Sequence, residues 1–177
     1  MKVLLSLFLV LSSVSFGQHI QFKHALVVGQ FEKSEDRYAM ELNLSELLQQ
    51  NGYKAMPSFN VLKQGEPMVD LLNDSLRKVV QAKGIDAYVI LNVRGYDRRF
   101  KPSETKISLK EILEMSSIYH IYRDEATSVT FEFTVYDLNN QLIGRSLLKC
   151  NNVSDRDSVM KRFRKKLPKL ILKEWKS

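Results

Sequence analysis

One cysteine, one tryptophan, three histidines, seven glycines and four prolines are all that 177 residues hold of those types. The lone Cys150 excludes an intrachain disulfide framework and any zinc or iron–sulfur site built from several thiolates. His19, His24 and His120 follow neither HxH nor HExxH spacing, so no metal-ligating motif is present, and His24 reads as a hydrogen-bonded structural residue at the head of a strand. Gly-x-Ser-x-Gly is missing, and Cys150 has no basic or aromatic setting that would activate a thiol. The turn Gly29-Gln30-Phe31-Glu32-Lys33-Ser34 has a single glycine, too few to bring backbone amides against a pyrophosphate. Nucleotide chemistry and cofactors are therefore not expected. Scarce Gly and Pro beside 44% hydrophobic and 10% aromatic residues describe an ordinary globular chain, long enough for one domain.

Beyond residue 17 no apolar run is long enough to cross a bilayer, which takes about 20 residues. What stands before it is Met1-Lys2, an apolar run over residues 3–14, and Ser15-Phe16-Gly17 ahead of Gln18. A basic start, a short apolar core and small residues before a polar one have the layout of a secretory signal peptide over residues 1–17. The run is shorter than a span and carries serines, and no cysteine at the cleavage site offers a lipid anchor. The mature chain, 18–177, is expected to be exported and soluble, in a periplasm or outside the cell. The Asn-x-Ser sequons at Asn43, Asn73 and Asn152 read as chance occurrences.

Apolar periodicity then orders the chain. Ile20, Phe22 and Ala25-Leu26-Val27-Val28 predict a buried strand. Ser34, followed by Glu35-Asp36, predicts the cap of a helix to Gln50, with Tyr38, Leu42, Leu44, Leu47 and Leu48 as its stripe and Asn51-Gly52 as its stop. Residues 53–61 read as extended, with Pro57 arguing for an edge or a break. Gly65-Glu66-Pro67 leads into a second helix carrying Val69, Leu72, Leu76, Val79 and Val80 and ending at Gly84, and residues 87–93 form another buried strand. Over 95–126 no strong strand appears, only a short helix opened by Ser108 and Glu111; a connection of this length is a candidate lid or binding insertion. Val129, Phe131, Phe133 and Val135 alternate with Thr130, Glu132, Thr134 and Tyr136, a half-buried strand, which returns through Asn139-Asn140 as a hairpin over 142–150. Ser154 with Asp157 predicts the cap of a last helix whose stripe is Val159, Met160, Phe163, Leu167, Leu170, Ile171 and Trp175, kinked at Pro168. The expected fold is one α/β domain with a mixed sheet in the order β-α-β-α-β-(insertion)-β-β-α and helices packed on the sheet.

This order, with Ala25-Leu26-Val27-Val28-Gly29 as first strand, Leu47-Leu48-Gln49-Gln50-Asn51-Gly52-Tyr53 as helix end and turn, and Ala82-Lys83-Gly84-Ile85-Asp86-Ala87-Tyr88-Val89-Ile90 entering the third strand, resembles a group of bacterial envelope domains. They are the N-terminal domain of the Tol propeller protein, the periplasmic domain of the curli-secretion lipoprotein, and the lipoprotein activators of penicillin-binding proteins. The resemblance covers most of the mature chain as architecture. It implies a partner-binding or assembly module in place of an enzyme, and it offers no catalytic residues. A lipidated cysteine is absent here, and the insertion is longer.

Two places carry binding chemistry. Past the third strand, where ligands of open α/β sheets bind, Tyr96, Asp97, Arg98, Arg99 and Phe100 precede a second aromatic and basic cluster, Tyr119, His120, Ile121, Tyr122 and Arg123. Either these form an interaction surface or they are a strand end and a solvated loop. A small secreted hydrolase is the alternative, with Asp97, His120 and Asp124 drawn together. The other place is the last helix. Residues 149–177 hold 10 basic and 3 acidic residues, a net of +7, whereas 18–148 hold 16 basic and 17 acidic, a net of −1. Lys161, Arg162, Lys165, Lys166 and Lys169 with Trp175 would suit an anionic membrane surface. The other reading docks the apolar stripe on the sheet and leaves the lysines solvated. Export removes nucleic acid as the usual target, so the expected partner is a protein or another envelope component. N-terminal sequencing of the exported protein should begin at Gln18 or its pyroglutamate form; a start at Met1 would contradict the signal-peptide reading.

Overall fold

The computed structural model describes residues 20–63, 66–95, 108–110 and 128–175. Five strands form one sheet in the order β2-β1-β3-β4-β5: β1 (His24–Gln30), β2 (Lys54–Pro57), β3 (Ala87–Gly95), β4 (Ser128–Asp137) and β5 (Leu142–Asn151). β1 runs parallel to both β2 and β3, and β4 and β5 are antiparallel additions, so the sheet is mixed as expected. α1 (Ser34–Gln50) and α3 (Arg156–Leu170) cover one face; α2 (Asp74–Ala82) and the 3-10 segment Met68–Leu72 cover the other.

The stripe of α1 differs from its expectation. Met40, Leu44, Leu47 and Leu48 face the sheet, but so does Glu41, while Leu42 is 47% exposed. Positions 41, 44 and 48 lie on one side of a 3.6-residue helix, and Leu42 lies nearly opposite Leu44. Ser34 is the first helical residue and Lys33 the cap, with no side-chain cap bond. The stop is as predicted. Gly52, at φ 90°, turns the chain, its N–H reaching the Gln49 carbonyl at 3.0 Å, and Tyr53 N–H reaches Leu48 at 3.1 Å.

β2 is shorter than the predicted run. Pro57, in register with Val27, is its last residue on the sheet edge, and a 3-10 turn over Ser58–Asn60 follows. The single helix expected before Gly84 is broken at Asn73, whose extended backbone (φ −71°, ψ 139°) separates the Met68–Leu72 segment from α2. Its buried residues are Leu71 and Val80, and Val79 is 42% exposed. β4 is not half-buried: every residue from Ser128 to Tyr136 is buried. The β4–β5 turn follows expectation, with Asn140 left-handed at φ 62° and the Asp137 carboxylate accepting from Asn139 N–H and Gln141 N–H, both at 2.8 Å.

α3 is capped one residue later than predicted. Asp155 Oδ1 accepts from Ser158 N–H at 2.7 Å, and Ser158 Oγ accepts from Asp155 N–H at 3.1 Å. These bonds, with the Ser154 hydroxyl at 2.9 Å, hold the Asp155 carboxyl below its usual range. The helix keeps α winding through Pro168 and then continues as a π turn, Ile171–Trp175. Val159, Phe163, Leu167, Ile171 and Trp175 are all buried. In an α-helix such an i, i+4 row drifts by roughly 40° per step. A π turn winds less per residue and brings Trp175 back toward the sheet.

There Phe163 meets the edge of Phe131 at 5.1 Å, and Trp175 that of Phe133 at 5.5 Å. Trp175 Nε1 donates to the buried Ser146 Oγ at 2.9 Å, and Tyr53 OH donates to the Trp175 carbonyl. Phe22 stacks on Tyr53 at 4.6 Å, while the Ile20 N–H reaches the Glu174 carbonyl at 3.3 Å. Ile20 fills the space over Gly144, where a Cβ would stand 2.5 Å from Ile20 Cγ1. Both ends of the described chain are thus pinned to one aromatic seam. Trp175→Ala should cost about 3–5 kcal/mol of stability by denaturant melts; a loss under about 1 kcal/mol would mean the seam is not part of the core.

Candidate functional site

The last helix resolves one of the two places read from sequence. Its apolar stripe is spent on the sheet, and Trp175, 1% exposed, is a core residue. The membrane-surface reading is corrected in that respect: with the ring buried and its N–H bonded to Ser146, Trp175 is not available at a lipid interface. What faces outward is charge. Lys161, Lys165 and Lys169 are exposed at i, i+4 spacing, and Arg162 and Lys166 are half-buried. Three basic side chains are tied to the fold. Lys166 Nζ donates to the Lys149 carbonyl of β5 at 2.7 Å, Arg164 Nε to Asn43 Oδ1 of α1 at 2.6 Å, and Arg156 pairs with Asp36 at 3.5 Å.

Tyr96, Asp97, Arg98, Arg99, Tyr119, His120, Tyr122 and Arg123 lie outside the described residues, as does Asp124 of the alternative hydrolase trio. What is described at the neighbouring carboxyl ends of the strands are two buried carboxyl groups that sequence reasoning missed. Glu132, read as an outward residue of β4, is completely buried. Arg94 of β3 grips it with Nε on Oε2 and a terminal nitrogen on Oε1 at 3.1 Å, and Arg145 Nε of β5 approaches Oε1 at 3.4 Å. A buried carboxylate is tolerable when fully paired in this way. Its signal in the sequence was a cation on each flanking strand, Arg94 near the end of β3 and Arg145 within the first half of β5. Among the described residues, Asn92 Oδ1, in register with Glu132, and Thr134 Oγ1, two residues further along β4, are buried without a hydrogen-bond partner.

Glu41 is the second. Its Oε1 accepts from Gly29 N–H at 2.9 Å and from Ser58 Oγ at 2.7 Å, its Oε2 from Ser58 N–H at 2.9 Å, and Arg37 Nε stands 3.4 Å away. Burial, the largest influence, raises the Glu41 pKa against the lowering effect of these bonds. Between the ordinary glutamate value and the raised one the folded chain binds more protons than the unfolded chain, so this group's contribution to stability falls as pH rises through that window. The clamp joins β1, α1 and the chain leaving β2. It also occupies the Gly29 amide, the very donor a phosphate loop would use, and a Cβ at Gly29 would come within 3.2 Å of Glu41 Cγ.

Cys150 is buried, and desolvation pushes its thiol up to about 11, which leaves it unreactive at neutral pH. Among the described residues no group of three or more His, Cys, Asp or Glu side chains could hold a metal, and no helix is long and apolar enough to cross a membrane.

No protein-family model matches the chain, and no curated protein does. Solved structures are similar in shape. A PelC dodecamer from Paraburkholderia phytofirmans has 9% identity and a TM-score of 0.47, over 87% of this chain and 86% of that one. A variant PelC dodecamer from the same organism has 10% identity and a TM-score of 0.46, over 85% and 88%. Lipoprotein GNA1162 from Neisseria meningitidis has 14% identity and a TM-score of 0.47, over 85% of this chain and 97% of that one. The Tol, curli-secretion and penicillin-binding-protein-activator groups are not among these three. Similarity at this level bears on neither activity nor partner.

The two kinds of charge respond differently to substitution. Glu132→Ala leaves Arg94 and Arg145 around an empty, buried space and should cost about 3–5 kcal/mol. Lys165→Glu on the outer face of α3 should change stability by no more than about 0.5 kcal/mol. Thermal or denaturant melts measure both; equal effects would contradict the assignment of buried and surface charge.

Proposed function

We propose that this chain is an exported, non-catalytic module that binds a protein partner of the cell envelope, and that the outward face of α3 belongs to its contact surface. One observation carries the reading. The stripe of α3 is consumed by the sheet, so the helix is a fixed wall that presents Lys161, Lys165 and Lys169 to its surroundings. Nearly all the chain's excess charge is gathered on this one element, on a body that carries 16 basic and 17 acidic residues. Charge so placed steers and orients an encounter with an anionic surface and need not contribute to the fold.

The layout of residues 1–17 supports export, and with it an envelope partner in preference to nucleic acid. The aromatic and arginine clusters at Tyr96–Phe100 and Tyr119–Arg123 belong to the same proposal as a second part of the surface.

Affinity capture from native envelope extract tests the reading. The wild-type chain should recover a defined protein, and Lys161→Glu/Lys165→Glu/Lys169→Glu should lose it, while Lys54→Glu/Lys83→Glu, near the amino ends of β2 and β3, retains it. Identical recovery by all three chains would remove α3 from the contact surface, and recovery of no protein by any would contradict the binding module itself.

A further inference from the structure

Where α1 and α3 lie side by side they leave a groove of about 510 Å³, a size within the range of built ligand pockets. Ala39 and Asn43 of α1 form one wall, and Arg156, Met160, Lys161 and Arg164 of α3 the other, with Asp157 as the acidic residue among its lining. The groove is held open by named contacts. Arg164 Nε on Asn43 Oδ1 at 2.6 Å and Arg156 on Asp36 at 3.5 Å bridge the two helices at a fixed separation.

A small pit of about 10 Å³ opens beside the groove, sharing Ala39, Met160 and Arg156 with it and reaching between Phe31 and Met40. Such a pit has room for roughly one methyl-sized group. From Lys161 the exposed row continues to Lys165 and Lys169, a track of about 12 Å along the helix axis, which equals three or four residues of extended chain. Met160 is the side chain that can adjust to an occupant, being flexible and polarizable.

Resting on the binding-module reading, we infer that this groove docks an acidic peptide segment of the partner, with the terminal methyl of one long apolar side chain reaching into the pit and carboxylates along Lys161, Lys165 and Lys169. The charges decide for an acidic occupant. The burial of the apolar side of α3 decides for a segment of chain over a membrane, because no nonpolar stripe of the helix is left to enter a bilayer. A second copy of the same chain fits poorly, since its body, at 16 basic and 17 acidic residues, has no matching excess of negative charge.

Fluorescence anisotropy with a short Glu- and Asp-rich peptide bearing one Leu tests the inference on the full mature chain. Lys161→Glu should weaken binding roughly tenfold, the scale of losing one well-placed interfacial charge, and Leu→Ala in the peptide should weaken it about fivefold. Met160→Trp, which fills the pit, should remove the preference for the Leu peptide while leaving the charge effect. Lys54→Glu/Lys83→Glu, which changes the net charge by twice as much at two positions that do not line the groove, should alter binding less than about twofold. Melts matching wild type establish that each variant is folded, and Met160→Trp stands in if Lys161→Glu is not. Equal weakening by both charge changes would overturn the groove, as would indifference to the Leu. Binding to vesicles of anionic lipid that is lost in Lys161→Glu, without peptide binding, would overturn the peptide in favour of a membrane, and concentration-dependent self-association lost in the same variant would overturn it in favour of a second copy. Envelope capture that survives in Lys161→Glu would refute this groove alone and leave the binding module standing, whereas no capture by wild type would refute the module.

Discussion

The stripe from Val159 to Trp175 holds the last helix against β4 and β5, and the rest of the arrangement is built on that seam. Trp175 lies under Phe133, bonds to Ser146, and receives Tyr53 on its carbonyl; Ile20 closes the far side over Gly144. Burying an indole of this size is worth about 4–6 kcal/mol by area alone, a large share of the net stability of a domain. Because the apolar side is committed, the basic side of α3 can point only outward. The same row of contacts that completes the core therefore fixes where the chain's positive charge appears.

Polar groups divide by the same logic. Glu41 and Glu132 sit inside the protein and are surrounded by donors, because an unpaired buried carboxylate would cost more than its bonds return. They lock the carboxyl ends of β1 and β3 and the amino-terminal half of β4 to their neighbours. Lys161, Lys165 and Lys169 remain in water, where their charge costs little and acts at a distance. One set makes the framework rigid, and the other uses the rigid framework to hold a charged surface in place.

The order of strands and helices was legible because apolar period and stop signals agree: Asn51-Gly52 ended α1, and Asn139-Asn140 turned the hairpin. Even the stripe of α3 could be read, down to Trp175. Where reading failed, the deciding partner was distant in sequence. Glu132 looks solvent-facing until β3 and β5 bring Arg94 and Arg145 beside it, and Glu41 looks like a surface residue of α1 until Gly29 and Ser58 supply its donors. Local ambiguity explains the smaller slips. Ser154 and Asp155 are both good caps, and only the bond from Ser158 N–H chooses between them; Asn73 takes an extended conformation that interrupts an otherwise continuous helical pattern. The two aromatic and arginine clusters of the insertion could be named from sequence, but they lie outside the described residues.

That α3 is a docked wall with its charge outward, and not a helix that exchanges the sheet for a lipid surface, is the claim on which the rest turns. Trp175 is the protein's only tryptophan, so its emission reports on this seam without labelling. The fluorescence of the chain from Gln18 to Ser177 should be blue-shifted relative to free tryptophan, resistant to acrylamide, and unchanged when vesicles of anionic lipid are added. Emission at the position of solvated tryptophan, shifting to the blue as vesicles are titrated in, would show that the stripe leaves the sheet for the membrane and would contradict the account.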